Sequence, residues 1–360
     1  MKVAIIHYWL VNMRGGEKVL EALLDLYPHA DIYTHVFDEQ AVSEKIVQRI
    51  KGVTFIQKLP MANKLYQSYL PLMPLALEQL DLREYDLILS SESGPAKGVI
   101  TLPNSVHICY CHSPMRYVWD MYQDYYEHSS LLKKIVMPLL LHRLRLWDLA
   151  SSFRVDYFIA NSSFVKKRIS KFYRRDSDVI YPPINTADFY IAEQVEDYYL
   201  MVGQLVAYKN TRLAVETFNK NGKPLVIIGT GAELANLKKI AGKNIQLLGY
   251  QSFDVIRQYY SRCKALIFPG VEDFGMVPIE AMASGRPVIA LSQGGALDTV
   301  IDGETGVLFD VPDISALNGA INKFEENYQA FSSERIRLHA EQFDSAIFKS
   351  RIKEFIEARL

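Results

Sequence analysis

Two consecutive prolines, in Tyr181-Pro182-Pro183-Ile184-Asn185, constrain this 360-residue chain more than any other feature. Proline has no N–H for a sheet ladder and breaks a helix interior, so no regular element crosses this point. On both sides of it, short apolar runs alternate with amphipathic stretches. Before it, Val3–Tyr8, Ile32–Phe37, Leu87–Ser90, Val106–Cys111 and Tyr157–Ala160 read as strands. After it, 198–202, 224–228, 245–248, 265–268 and 287–291 do. Helical patterns lie between, such as Glu17 to Tyr27 with Val19, Leu20, Leu23 and Leu24 on one face. Strands alternating with helices predict parallel sheets covered on both sides. The expected fold class is α/β, with domains at 1–183 and 184–340 and a charged amphipathic helix within 341–360 that packs back on the first domain. Ligands of open parallel sheets bind beyond the carboxyl ends of the strands. Two such sheets are therefore expected to face each other across a cleft.

Composition removes several function classes. Lys plus Arg total 40 against 41 Asp plus Glu, a formal net charge of −1, so no global basic excess points to nucleic acid. Three cysteines, Cys109, Cys111 and Cys263, are too few for a disulfide framework and fit a reducing compartment. The start of the chain, Met1-Lys2 and then Val3 to Val11, mimics a leader peptide. Its apolar stretch is short, contains His7, and runs into Met13-Arg14-Gly15-Gly16-Glu17. It reads as a first strand followed by a glycine turn. No run approaches the roughly 18 apolar residues of a spanning helix, and the expectation is a soluble, cytoplasmic protein.

The most informative segment runs from Phe268 to Gly285. A strand enters a glycine-containing loop, Pro278 stands where a first helical residue would, and Gly285 suits a left-handed cap. The amides around Gly275, Met276 and Val277 then lie at a helix amino terminus, a natural anion cradle. Glu272 and Glu280 flank it. Favourable interaction with the helix dipole would explain Glu280 alone but not Glu272, at the end of a strand.

Other segments add candidates. Gly15-Gly16 after the first strand is either a plain βα turn or a loop whose amides approach an anion closely. Lys209, in Gly203-Gln204-Leu205-Val206-Ala207-Tyr208-Lys209-Asn210, precedes a helix beginning near Thr211. Alternation puts Cys109 and Cys111 on one strand face, with His112 at the strand exit. They do not make a four-ligand metal set and read as packed thiols. Gly229-Thr230-Gly231 mimics a dinucleotide fingerprint, but Leu234 stands at the third glycine position. Asn161-Ser162-Ser163 reads as a cap on a helix from about Phe164 rather than a glycosylation acceptor.

Glu272 and Glu280 stand in an E-x7-E spacing that resembles retaining glycosyltransferases of family four, with two Rossmann-like domains (the GT-B type). The likeness spans nearly the whole chain. It implies that Glu280 binds the nucleotide ribose and Glu272 the transferred sugar, while amides of Phe274, Gly275, Met276 and Val277 meet the sugar and distal phosphate. It also places Gly15 and Gly16 beside the donor phosphates and makes Lys209 a diphosphate clamp. Gln204 replaces the family's arginine, so either Lys209 does more or Arg212 or Arg286 compensates. His112 matches a catalytic histidine that contacts the reacting sugar, and Cys-His-Ser-Pro-Met-Arg-Tyr with Trp119-Asp120 resembles bacterial O-antigen and exopolysaccharide mannosyltransferases. The loop Leu291 to Asp298 matches one near the donor, and Asp302-Gly303-Glu304-Thr305-Gly306 a structural turn.

The implied activity is metal-independent transfer of a hexose, in the first place mannose from GDP-mannose, to a lipid-linked or growing cell-surface glycan. The basic and apolar stretch Leu131–Trp147 either docks on an anionic membrane or packs on the sheet with its bases in water, and Tyr66 to Leu77 would add an apolar lip for a polyprenyl-diphosphate acceptor. A sugar-nucleotide epimerase and a catalytically silent binding protein share these expectations; a dehydrogenase fits least.

Overall fold

The computed structural model describes residues 1–127 and 129–360. The chain forms two compact units, residues 1–183 with 348–360 and residues 184–347. The first holds seven strands: β1 Val3–His7, β2 Asp31–Thr34, β3 Ile50–Val53, β4 Leu87–Glu92, β5 Val106–Cys111, β6 Tyr157–Ala160 and β7 Asp178–Val179. They make one sheet in the order β3-β2-β1-β4-β5-β6-β7, every pair parallel. Both faces are covered, which is why the strands read as near-continuous apolar runs. Ile5, Leu89 and Ile108 pack against Val19, Leu20 and Leu23 of the helix Gly15–Leu26 and against Phe348, Ile352 and Phe355 of the helix Ser345–Glu357. Ala4, Ile6 and Ile88 point the other way, against Leu77, Leu82 and Val99.

The second unit holds β8 Tyr199–Val202, β9 Leu225–Ile228, β10 Ile245–Gly249, β11 Ala265–Phe268, β12 Val288–Leu291 and β13 Gly306–Phe309. Their order is β10-β9-β8-β11-β12-β13, again all parallel. One side of the sheet packs Met201, Ile227, Ile267 and Ile289 against Val215 and Phe218 of the helix Thr211–Asn221 and Ile321 and Phe324 of the helix Ile314–Glu326.

In each unit the strand order reverses once, between β1 and β4 and between β8 and β11. At such a switch point the flanking loops splay apart beyond the carboxyl ends and leave a crevice. The topology therefore marks two places where a ligand site can form.

Several boundaries differ from the sequence reading. The second strand starts at Asp31 and stops at Thr34, and β3, β7 and β13 were not anticipated. The first two are short edge strands, and β13 follows directly on a glycine turn. Pro278 is the third helical residue, not the first, because the helix Met276–Ala283 already begins after Gly275. Its missing N–H still falls among the four that no helix can pair internally. Glu280 consequently sits in the second turn.

Candidate functional site

Beyond the carboxyl end of β11, the chain turns through Gly275, whose φ of 86° is left-handed and favours glycine, and enters the helix Met276–Ala283. The amides of Met276 and Val277 thus stand at a helix start. Gly285, at φ 73°, terminates that helix as expected. The cradle is held from behind by Gly294-Gly295. The Gly295 N–H donates to the Glu272 carbonyl at 2.9 Å, and a Cβ on Gly295 would overlap the backbone of Phe274.

Beside the cradle, Lys209 Nζ lies 2.5 Å from Glu272 Oε1, with the two side chains only 14% and 19% exposed. The contact is an ion pair between the lysine ammonium and the carboxylate. Lys209 ends a helical turn, Ala207–Lys209, and Asn210 then takes a left-handed conformation, φ 52°, that starts the next helix. The Asn210 side-chain amide donates to the Pro269 carbonyl at 3.1 Å, tying this loop to the one after β11. Glu280 accepts from the hydroxyl of Tyr260 at 2.9 Å. Tyr260 is fully buried, and burial together with Glu280 pushes its phenol well above the usual range.

The Gly229-Thr230-Gly231 turn has a packing role. A Cβ on Gly229 or Gly231 would overlap the carbonyl oxygens of Gly203 and Leu205, and the Leu205 N–H donates to Thr230 O at 2.8 Å. The glycines let two neighbouring βα loops touch backbone to backbone.

At the switch point of the first unit, His112 follows β5 directly. Its Nε2 is 2.8 Å from Ser91 Oγ, and Ser91 Oγ is 3.1 Å from His7 Nδ1. Burial, with His7 close by, lowers the His112 pKa to about 3, so the ring is neutral at physiological pH. Gly15 and Gly16 are the first two residues of the helix Gly15–Leu26. Neither has a positive φ; a Cβ on Gly16 would come within 2.6 Å of the Tyr8 hydroxyl.

Two family descriptions match the chain in tandem: "Glycosyltransferase Family 4" over residues 13–188 and "Glycosyl transferases group 1" over residues 189–342. The chain belongs to glycosyltransferase family 4. Among its relatives, an uncharacterized glycosyltransferase, MJ1178 of Methanocaldococcus jannaschii, is 32% identical over 158 residues, 42% of this chain and 45% of that protein. The O-antigen chain mannosyltransferase RfbU of Salmonella typhimurium is 29% identical over 232 residues, 58% of this chain and 62% of its own length. The chain thus matches about half the length of these curated relatives. Among solved structures, Anabaena Alr3699/HepE in complex with UDP superposes with a TM-score of 0.72 at 17% identity, covering 99% of this chain and all of that one. That likeness is one of fold.

Within this family member, the second unit brings Lys209, Glu272, Phe274, Gly275, Met276, Val277 and Glu280 to one end of its sheet. Gln204 is exposed. The two other arginines that could take the place of the family's arginine have partners of their own. Arg212 is exposed and pairs with Glu216 at 2.7 Å, while Arg286 follows the opposite end of the helix Met276–Ala283 and donates to Ala192 O at 3.3 Å. Ser162, rather than Asn161, caps the helix Ser163–Tyr173, accepting from the Val165 N–H at 3.0 Å. Cys109 and Cys111 are buried free thiols.

Sequence reasoning missed three groups. Ser91 and His7 are one, Tyr260 another. The signal for His7 and Ser91 was a polar residue at the carboxyl end of a strand that otherwise reads apolar; Tyr260, inside the helix Phe253–Arg262, carried none. The third is a fully buried cluster in which Lys97 Nζ donates to Glu92 Oε1 at 2.7 Å and also pairs with Asp148. Asp148 accepts from Trp119 Nε1 at 2.7 Å and the Tyr173 hydroxyl at 3.0 Å. Glu92 ends β4 beside Ser91, and its carbonyl accepts the His112 N–H at 2.8 Å, so the cluster fixes the backbone that carries the histidine.

Proposed function

We propose that this protein transfers a hexose, mannose from GDP-mannose in the first place, with retention of configuration, onto a lipid-linked or growing cell-surface glycan. The observation that carries the reading is the sheltered Lys209–Glu272 pair beside the amide cradle at the β8/β11 switch point. A cation and aligned amides suit a departing diphosphate, and a carboxylate suits a sugar hydroxyl. The mannosyl assignment draws on the RfbU likeness, and a nucleotide-sugar donor also suits a fold in which HepE carries UDP.

In this reading Glu280 accepts the ribose hydroxyls, and the amides from Phe274 to Val277 take the distal phosphate. Gly15 and Gly16 add amides at a second helix start. The bond from the anomeric carbon to phosphate breaks, the acceptor oxygen bonds on the same face, and its proton passes to a phosphate oxygen. Glu272 holds the sugar, and His112 is the first unit's candidate for contact with a reacting hydroxyl. Lys209 and the amides supply the neutralising charge, and the reaction needs no metal ion.

The helix Leu131–Ser152 supports a membrane-borne acceptor. Leu131, Ile135, Leu139 and Leu146 form one exposed stripe, from 56% to 83% accessible, with Lys133 and Arg143 exposed on the same helix. Leu72 and Leu75, in the anticipated lip, are exposed too, whereas Met73 and Leu77 are core. Among the described residues no helix is long and apolar enough to cross a membrane.

The test is incubation with GDP-mannose and a polyprenyl-diphosphate-linked glycan, with and without EDTA. The expected result is acceptor-dependent release of GDP, insensitive to EDTA, and a product keeping the donor's anomeric configuration. Conversion of the donor without acceptor, or an inverted product, would contradict it.

A further inference from the structure

The geometry points to a buried relay, Glu17–His7–Ser91, that sets the tautomer of His112 and so decides which of its ring nitrogens can accept a hydrogen bond from a substrate hydroxyl. The inference rests on the proposed transfer reaction for its purpose, but not for its chemistry.

The relay follows from sheet register. His7 and Ser91 are partners across β1 and β4, and Glu92 pairs with Cys111 across β4 and β5, which sets His112 just beyond. Three adjacent strands thus end in a line of polar side chains at the switch point. His7 and Ser91 are fully buried and Glu17 nearly so. Ser91 Oγ sits between two imidazoles, 2.8 Å from His112 Nε2 and 3.1 Å from His7 Nδ1. Glu17 Oε1 lies 3.6 Å from His7 Nε2, which has no hydrogen-bond partner, and Glu17 Oε2 accepts the Arg14 N–H at 2.8 Å.

One hydroxyl has one proton, so Ser91 can donate to only one ring and must accept from the other. The carboxylate decides the direction. At 3.6 Å it is beyond a hydrogen bond, yet in a buried site it strongly favours a proton over a lone pair on His7 Nε2. Where His7 carries a single proton, held at Nε2 by the carboxylate, its bare Nδ1 accepts from Ser91. Ser91 then accepts from His112, which must carry its proton on Nε2. Nδ1 of His112 is left as an acceptor, and among the described residues none hydrogen-bonds it. The opposite polarity would turn a histidine lone pair toward a buried carboxylate.

The arrangement makes Glu17, His7 and Ser91 positioning residues for His112. It also gives Glu17, which follows Gly15-Gly16 in the chain, a role distinct from contact with the donor: the motif that starts the helix also polarises the relay.

Long-range proton–nitrogen NMR on histidine-labelled protein, with His112 assigned from a His112→Gln variant, reads the tautomer directly. The expected spectrum shows neutral His112 protonated at Nε2, and Ser91→Ala or Glu17→Gln shifts population toward the Nδ1–H form, with Ser91→Thr restoring it. In the transfer assay, Ser91→Ala lowers kcat about tenfold, the value of about 1.4 kcal/mol for one misoriented hydrogen bond, with the donor KM unchanged. Wild-type His112 protonated at Nδ1, or a tautomer that Ser91→Ala and Glu17→Gln leave unmoved, would overturn the relay. Full activity of His112→Ala would instead overturn the transfer role of His112 and leave the tautomer result standing.

Discussion

Lys209 and Glu272 meet across 2.5 Å, joining the loops that follow β8 and β11 at the point where strand order reverses. The pair is sheltered, so each charge is held by the other until something enters the site. A diphosphate would take the lysine, and the freed carboxylate could then accept a sugar hydroxyl. Glu272→Ala should therefore leave nucleoside-diphosphate affinity unchanged or tighter while transfer collapses. Lys209→Ala should lower both, with binding weaker by about 1.5–3 kcal/mol, the value of a hydrogen bond to a charged group. Calorimetry with GDP beside single-turnover rates checks this; weaker GDP binding by Glu272→Ala would contradict it.

Glu280 is pre-oriented by a tyrosine. The Tyr260 hydroxyl donates to its Oε2 at 2.9 Å from a fully buried position. Glu280→Ala should weaken nucleotide binding by about 1.5–3 kcal/mol, and Tyr260→Phe by the smaller 0.5–1.5 kcal/mol or so of a single hydrogen bond. Equal affinity of all three proteins, measured by calorimetry, would remove Glu280 from the ribose.

Glycine at position 295 holds the cradle's shape. A Cβ there has nowhere to go but into the backbone of Phe274. Gly295→Ala should displace the loop between Glu272 and Gly275, lowering thermal stability and raising the donor KM, while Gly222→Ala, where nothing lies within 4 Å but φ is 73°, should lower stability and spare the KM. A shared effect on KM would argue against a local role for Gly295.

The cradle was legible because it is written in consecutive residues, with glycines, a proline and two carboxylates at fixed spacing. The His112 relay was not. Its members lie on two strands, just beyond a third and on a helix, and only the order of parallel strands brings residues 7, 91 and 112 together. His7 drew notice only as an interruption of an apolar run. The start of the helix Met276–Ala283 was misplaced for a local reason. Proline is pre-organised for a helix's first residue, but Gly275 at φ 86° had already made the turn two residues earlier. The missing third glycine sets Gly229-Thr230-Gly231 apart from a dinucleotide fingerprint, yet the reason for its glycines, contact with the loop at 203–205, needed coordinates.

Histidines whose pKa burial lowers set an acid limit on stability: His112, at about 3, and two more. Burial lowers His35 and His107 from 6.5 to about 4 each. Below pH 6.5 the unfolded chain takes up protons that the folded state refuses, so stability falls as pH drops from 6.5 to 4. Each histidine contributes a slope of about 1.4 kcal/mol per pH unit in that window. Urea unfolding across it should show this loss, and His107→Asn should flatten the slope by about one proton's worth. A flat profile in wild type would contradict the assignment.

The most direct test of the whole account is a crystal structure of the protein saturated with a non-transferable GDP-mannose analogue. The expected density places the distal phosphate on the amides between Phe274 and Val277 and the ribose on Glu280, with Lys209 turned from Glu272 to the diphosphate. A ligand bound elsewhere, with the Lys209–Glu272 pair intact and the cradle vacant, would contradict it.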